Sequence, residues 1–448
     1  MNAKLYRCKI YEGDSSLVRD FIPYLNEKGE AGLYDLCGTG FYGNASGLGG
    51  FSTNYERPVI ITRKELKSGD HKRFKYESTI TFTNCGIGAD MPLENIPVLL
   101  RLTPTSPAGF SVGDCAAKGE DLAFASCEDG SWLDYDIEAW DVAKCAVWVR
   151  VPKLSVKTKL KMYWGLKDGK SPGLDTSTAT WTNSHYATVL HMNKIGGLDS
   201  TGSNEFTGND VGIDEGIVGQ SMRVTSMSGM IQLPSSDAAP APWALALTSR
   251  AFTISFWLRA DTTFSGWPYF VDWYNHSTDN YGFLICGAVG DTVDSGTALW
   301  QVLNIDKAAC PEITKTALST KWPASSTYRQ NWLYYTVSYA RVNNQVHEEH
   351  YVDGQQILMG DYDLLNPEWN IAHMDKLDNP LVLMNSLTTV GRGMDDARMD
   401  EFRISSVACG AAEAAANYRM MVQADFASFG ARTKASSPVP SGLIIFLH

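Results

Sequence analysis

Arg398-Met399-Asp400-Glu401-Phe402-Arg403-Ile404-Ser405 decides how this chain is read. Apolar and charged residues alternate along it, the pattern of a strand with one buried face. On strict alternation Met399, Glu401, Arg403 and Ser405 point one way and Asp400, Phe402 and Ile404 the other. An Asp that shares a face with Phe and Ile is costly to bury unless it is hydrogen-bonded, paired or metal-bound. The following Ala-rich run, Cys409 to Tyr418, predicts a short helix.

Working outward, the composition points the same way. The 448 residues exceed what one compact core accommodates, so two or three domains are expected. Aromatics make up 11%, with 13 Trp, 20 Tyr and 39 Gly, which favours short strands and turns over helices. The net charge of −12 argues against a nucleic-acid partner, because phosphate binding needs a basic surface. No apolar run is long enough to span a bilayer, and no apolar h-region follows the first residues. None of the nine Cys is spaced C-x-x-C, which disfavours a zinc ribbon or thioredoxin-like site. Cys85, Cys115, Cys127 and Cys145 lie close in sequence; one or two disulfides and buried thiols are equally compatible with them.

Three β regions are expected. Residues 1–55 hold short strands broken by Gly and Asp turns, too few to bury a core of their own. Residues 73–170 read as a small β-sandwich, with Ile96–Leu102, Trp132–Trp140, Ala146–Pro152 and Leu160–Gly165 among its strands. A Ser/Thr/Gly/Pro-rich linker at 171–180 leads into 181–427. That last region contains D-S-T-G-x-N at 199–204, Phe252–Trp257, Trp332–Val337, Tyr351-Val352-Asp353-Gly354 and the stretch quoted above. Five pieces in this order resemble the laminin-G-like, concanavalin-like jelly roll. The succession in 73–170 is similar to an uncharacterised bacterial domain family that sits before such jelly rolls, and residues 1–55 resemble the last strands of another laminin-G-like domain. The resemblance implies an all-β, bacterial surface or secreted protein, without enzymatic activity, that binds a glycan or a surface protein. Its alternatives are a polysaccharide hydrolase or lyase on the same scaffold and a structural spacer or phage-tail-like fibre segment.

Candidate site residues follow from chemistry. Sandwiches of the resembled kind carry one Ca²⁺ between an N-terminal loop and the last strand, which singles out Asp199 and Asp400 as metal ligands. The alternative is an Asx-turn at Asp199 and backbone N–H bonds to Asp400. Trp267, Trp273 and Tyr274, in an irregular stretch, are the candidate sugar-stacking aromatics, against a satellite hydrophobic cluster. Asp134, Asp136 and Glu138 alternate as glycosidase carboxylates do, but with Tyr135 and Ile137 turned to the core they read as a solvated face. His347-Glu348-Glu349-His350 lacks the spacing of a zinc-protease helix and reads as an exposed polar strand.

Overall fold

In the computed structural model, residues 8–12, 16–25, 31–35, 41–42, 70–167, 177–261, 268–274, 282–287, 299–303, 330–363, 377–387 and 391–436 are described. The chain divides into two units, Met1–Glu65 and Leu66–His448. The first is an antiparallel meander of β1 (Cys8–Glu12), β2 (Ser16–Leu25), β3 (Ala31–Asp35) and β4 (Phe41–Tyr42).

The second unit holds two β-sandwiches. The smaller is built from β5 (Phe74–Thr81), β6 (Leu93–Leu102), β7 (Ala123–Ser126), β8 (Trp132–Leu133), β9 (Tyr135–Trp140), β10 (Cys145–Leu154) and β11 (Lys159–Leu166). One of its sheets runs β6-β10-β9 and the other β5-β11-β7-β8. Near-continuous apolar runs such as Ala146–Val149 place β10 in the middle of its sheet, covered on both faces.

After the short helix α1 (Ser177–Thr182) comes the larger, jelly-roll-type sandwich. Its strands are β12 (Tyr186–Leu190), β13 (Gly197–Leu198), β14 (Glu205–Asn209), β15 (Val211–Glu215), β16 (Gln220–Val224) and β17 (Met230–Leu233). Helix α2 (Pro242–Leu247) precedes β18 (Ala251–Ala260), β19 (Tyr269–Tyr274), β20 (Gly282–Gly287) and β21 (Leu299–Leu303). The set closes with β22 (Leu333–Val342), β23 (Gln345–Val352), β24 (Gln355–Asp363), β25 (Leu381–Leu383) and β26 (Ala397–Ser405). One sheet runs β15-β16-β26-β18-β22-β23-β24 with β12 also on β26; the other runs β13-β14-β17-β25-β19-β20-β21. Asp353 and Gly354, both at positive φ, form the tight β23–β24 turn that their sequence announces.

The chain then returns. Helix α3 (Ala411–Val422) packs against β6, and β27 (Ser428–Phe429) and β28 (Thr433–Lys434) pair with β5. Glu77 on β5 ties this return down, accepting bonds from Lys161 and from the Ser436 hydroxyl and backbone N–H. The smaller sandwich is thus completed by residues that follow the larger one.

Strict alternation fails at β26. Pairing with β18 sets Asp400 opposite Trp257 and Arg403 opposite Ser255, so Glu401 and Phe402 together face one residue. Glu401 sits at φ 50, a bulge residue in the left-handed region. Such backbone costs a non-glycine residue about 1–3 kcal/mol and is held by its surroundings. The bulge resets the parity. Met399, Phe402 and Ile404 all join the jelly-roll core, while Asp400, Glu401 and Arg403 turn toward the smaller sandwich. The sequence expectation that Asp400 shares the Phe402/Ile404 face is therefore corrected.

The four clustered cysteines, together with Cys286 and Cys409, are free thiols. The His347–His350 stretch is only half exposed. His347 pairs with Asp361 outside, but Glu348 and His350 are buried, hydrogen-bonded to each other and to Tyr339 and Tyr335. No described helix is long and apolar enough to cross a membrane.

Candidate functional site

The outer face of the β26-bearing sheet meets the β6-β10-β9 sheet of the smaller sandwich, and the charged residues of both are buried in the seam. From the smaller sandwich, β9 contributes Asp136 and Glu138, and β10 contributes Trp148. Helix α1 inserts Trp181, β12 ends at Leu190 just before His191, and β26 supplies Asp400, Glu401 and Arg403. Asp134 and Asp136 are buried, and the Glu138 side chain has 0% exposure. The alternating carboxylates of β9 are thus not a solvated face: the jelly roll covers what an isolated strand would leave to water. Asp134 is held by Arg150, whose guanidinium donates at 2.8 Å and 3.1 Å.

His191 is the hub. Its Nδ1 lies 2.7 Å from Glu401 Oε1 and 3.4 Å from Glu138 Oε2, and its Nε2 lies 3.2 Å from Asp136 Oδ2. Trp181 Nε1 donates to Asp136 Oδ2 and Trp148 Nε1 to Glu138 Oε2, both at 2.7 Å. Arg403 pairs with the Glu401 carboxylate, and its guanidinium lies 4.2 Å from the Trp148 ring centroid and 4.8 Å from that of Trp181. A cation over a desolvated indole is worth about 2 kcal/mol.

Acids outnumber bases here. Asp136, Glu138, Asp400 and Glu401 face His191 and Arg403, with Arg101 also within electrostatic reach of Glu138 and Glu401. Burial, reinforced by Glu401, pushes both Glu138 and Asp400 well above the usual carboxyl range. Burial also opposes ionised Glu401, but His191 and Arg403 outweigh it and hold that carboxyl at about 2. Desolvation alone would lower His191; Glu401 and Glu138 reverse it and keep the imidazolium favoured.

The β15–β16 loop, residues 216–219, closes one wall. Ile217 and Val218 donate their backbone N–H groups to Asp400 Oδ2 at 2.7 Å and 3.0 Å. Glycine is required at both ends: a Cβ on Gly216 would lie 2.6 Å from Asp400 Oδ2, and one on Gly219, at φ +61, 2.8 Å from Glu138 Oε1. Beside the cluster opens a cavity of about 230 Å³, lined by Asp136, Glu138, His191, Asn193, Lys194 and Ser200 among others, with Phe206 and Asp199 in its wall.

The residues singled out from sequence fall in different places. Asp199 is buried, and both its oxygens are taken by the protein: Val189, Ser203 and Asn204 donate backbone N–H at 3.1 Å and Thr201 its hydroxyl at 2.8 Å. It fixes the 199–204 loop as an Asx-type turn. Asp400 is likewise used by backbone donors rather than shared with Asp199 in one ligand cluster. Among the described residues, the group with metal-ligand spacing is Glu138, His191 and Glu401. Trp273 is fully buried, edge-on to Trp243 at 5.2 Å and donating to the Asn379 carbonyl, so it is core and cannot stack on a sugar. Trp267 lies outside the described residues, and for Tyr274 only the backbone, on β19, is described.

His191, Glu401, Arg403, Trp148 and Trp181 were not read from sequence as a site. A signal exists: a lone His ends the apolar run Ala187–Leu190, and Glu401 and Arg403 share a face of the decisive strand.

No family model matches the chain, and no curated protein matches it. Among solved structures, the receptor-binding domain of a botulinum neurotoxin C/D mosaic serotype is similar at 14% identity and TM-score 0.33, over 53% of this chain and 51% of that one. A botulinum neurotoxin type C structure, described by the dependence of cell entry on two ganglioside molecules, gives 15%, TM-score 0.39, and 53% and 52% coverage. A Trypanosoma rangeli sialidase mutant displaying trans-sialidase activity gives 9%, TM-score 0.39, and 66% and 44%. The chain thus spans about half the length of the structures it matches, and likeness at this level carries no argument about ligand or activity.

Proposed function

We propose that this chain is a non-enzymatic binding module of a bacterial surface or secreted protein, and that it recognises a glycan at the mouth of the seam cavity. One observation carries the reading. The cavity wall offers amide, ammonium, hydroxyl and carboxylate groups from Asn193, Lys194, Ser200 and Asp136. This mixture suits a polyhydroxylated ligand. Asp199 holds the adjoining loop rigid through its donors, so little ordering is needed on binding. In this reading Asp199 positions the loop, and no Ca²⁺ is invoked.

The test is a glycan array on the intact chain, with and without EDTA, alongside Asn193→Ala and Lys194→Ala. Expected is a glycan signal that survives EDTA and falls at least about tenfold in each variant, roughly 1.4 kcal/mol. Binding unchanged in both variants moves the glycan elsewhere, and a blank array removes the glycan.

The hydrolase reading has one observation in its favour. Asp136 and Glu138 both line the cavity, and burial raises the Glu138 carboxyl well above its usual range, the direction a general acid needs. Release of reducing ends from a polysaccharide, abolished in Glu138→Gln, would establish it in place of simple binding.

A further inference from the structure

We propose that the seam holds one divalent transition-metal ion of the zinc class, ligated by His191 Nδ1, Glu401 Oε1 and the Glu138 carboxylate. This goes beyond glycan recognition and does not depend on it.

The ligand atoms already converge: all three lie within 4.8 Å of one another. Zn²⁺ takes imidazole nitrogen and carboxylate oxygen at about 2.0–2.2 Å, commonly four-coordinate, and three protein ligands leave a position for water. A nitrogen in the set favours such an ion over Ca²⁺, which prefers oxygen. The surroundings resemble a prepared outer shell. A ligating His ordinarily gives its other N–H to a carboxylate, and His191 Nε2 lies 3.2 Å from Asp136 Oδ2, itself fixed by Trp181 Nε1 at 2.7 Å. Glu401 is oriented by Arg403, and Glu138 by Trp148.

Independent evidence comes from the polar groups that nothing satisfies. Glu138 Oε1 has no hydrogen-bond partner although its side chain is fully buried, and Asp400 Oδ1 is unpartnered in the same cluster. Buried orphans of this kind cost about 1–3 kcal/mol each and call for an occupant. Both unpartnered atoms are carboxyl oxygens, which a cation satisfies. The strained backbone at Glu401, φ 50, places one ligand, and a strained residue is characteristic of a functional site. The 230 Å³ cavity is lined by both Glu138 and His191 and lies beside the ligand cluster. Because Glu138 comes from the smaller sandwich and His191 and Glu401 from the larger, the ion would clamp the two together.

The experiment uses the intact chain after EDTA dialysis, titrated with Zn²⁺ and with Co²⁺ as a spectroscopic probe. Expected are one equivalent bound, a melting temperature raised by about 5 °C or more at a hundredfold excess over Kd, and a Co²⁺ visible spectrum without the near-ultraviolet thiolate charge-transfer band that cysteine ligation gives. Ca²⁺ at the same concentration should leave the melt unmoved. Glu138→Gln and His191→Gln should each weaken Zn²⁺ binding at least tenfold. The proposal is overturned by an unmoved wild-type melt, by a thiolate-dominated Co²⁺ spectrum, or by binding as tight as wild type in both variants. Should either variant misfold, the stoichiometry and Co²⁺ spectrum of the wild type still decide.

Discussion

Replacing Arg403 with Met keeps the length of the side chain and removes its charge. Arg403 is buried, pairs with Glu401 and stacks on Trp148 and Trp181 across the seam. The magnitude follows from Glu401. Its carboxyl is held at about 2 instead of 4.5, against burial, by His191 and Arg403 together. At about 1.4 kcal/mol per tenfold, the net gain that survives the burial penalty is roughly 3 kcal/mol. Removing one of the two cations also leaves its partner's charge buried, a change that typically costs about 3–5 kcal/mol. Arg403→Met should therefore lose about 3 kcal/mol in urea unfolding at pH 7, read by Trp fluorescence. Arg403→Lys, which retains charge but not the planar fork, should lose less. The pH dependence has a fixed sign. A depressed carboxyl contributes fully above about pH 4.5 and loses that contribution as pH falls toward about 2. In Arg403→Met the acid-sensitive part should shrink. Adding Glu401→Gln to Arg403→Met should recover stability, because the stranded charge goes with it. A single variant within about 1 kcal/mol of wild type, with an unchanged acid limb, would refute the argument that this pair closes the seam.

Three further outcomes are expected. Ending the chain after Ala427 removes β27, β28 and the Ser436 bonds to Glu77, and should lower the first melting transition and promote association through the bare β5 edge, measured by calorimetry and light scattering. Trp273→Ala should cost about 3–5 kcal/mol as a core cavity, with folded protein retaining wild-type glycan binding; selective loss of binding would return Trp273 to the site. Burial pushes Glu413 up to about 7, so folded protein holds this proton more tightly than unfolded chain, and stability from this group is full below about pH 4.5 and lost as pH rises through 7; Glu413→Gln should stabilise at pH 8 and not at pH 4, and an equal effect at both would exclude this origin.

The strands around Phe252–Trp257, the turn at Asp353-Gly354 and the helix after Cys409 were legible because each writes its own local signal: continuous apolar residues, a turn dipeptide, an Ala run. The seam was not. Alternation along Tyr135–Trp140 tells which residues share a face but not what covers it, and a second sandwich turned Asp136 and Glu138 from solvated to buried. At Glu401 a single bulge inverted the parity of the strand, and composition carries no mark of it beyond an unremarkable Glu. Asp199 was expected as a metal ligand with an Asx-turn as the alternative, and the donors to its carboxylate come from Val189 as well as from its own loop, a partner that local reading does not supply.

The return of the chain to β5 has a consequence for biosynthesis. Strands β5 to β11 leave the ribosome before the jelly roll, but the edge partners of β5 come roughly 260 residues after Leu166. At about 5–20 residues per second the wait is on the order of tens of seconds. Throughout it, the nascent smaller sandwich presents an open edge while the whole jelly roll is synthesised. The order of maturation is thereby set: the middle of the polypeptide completes its fold before the part that was translated ahead of it, and emergence of residues 428–434 lets them zip the earlier strands shut.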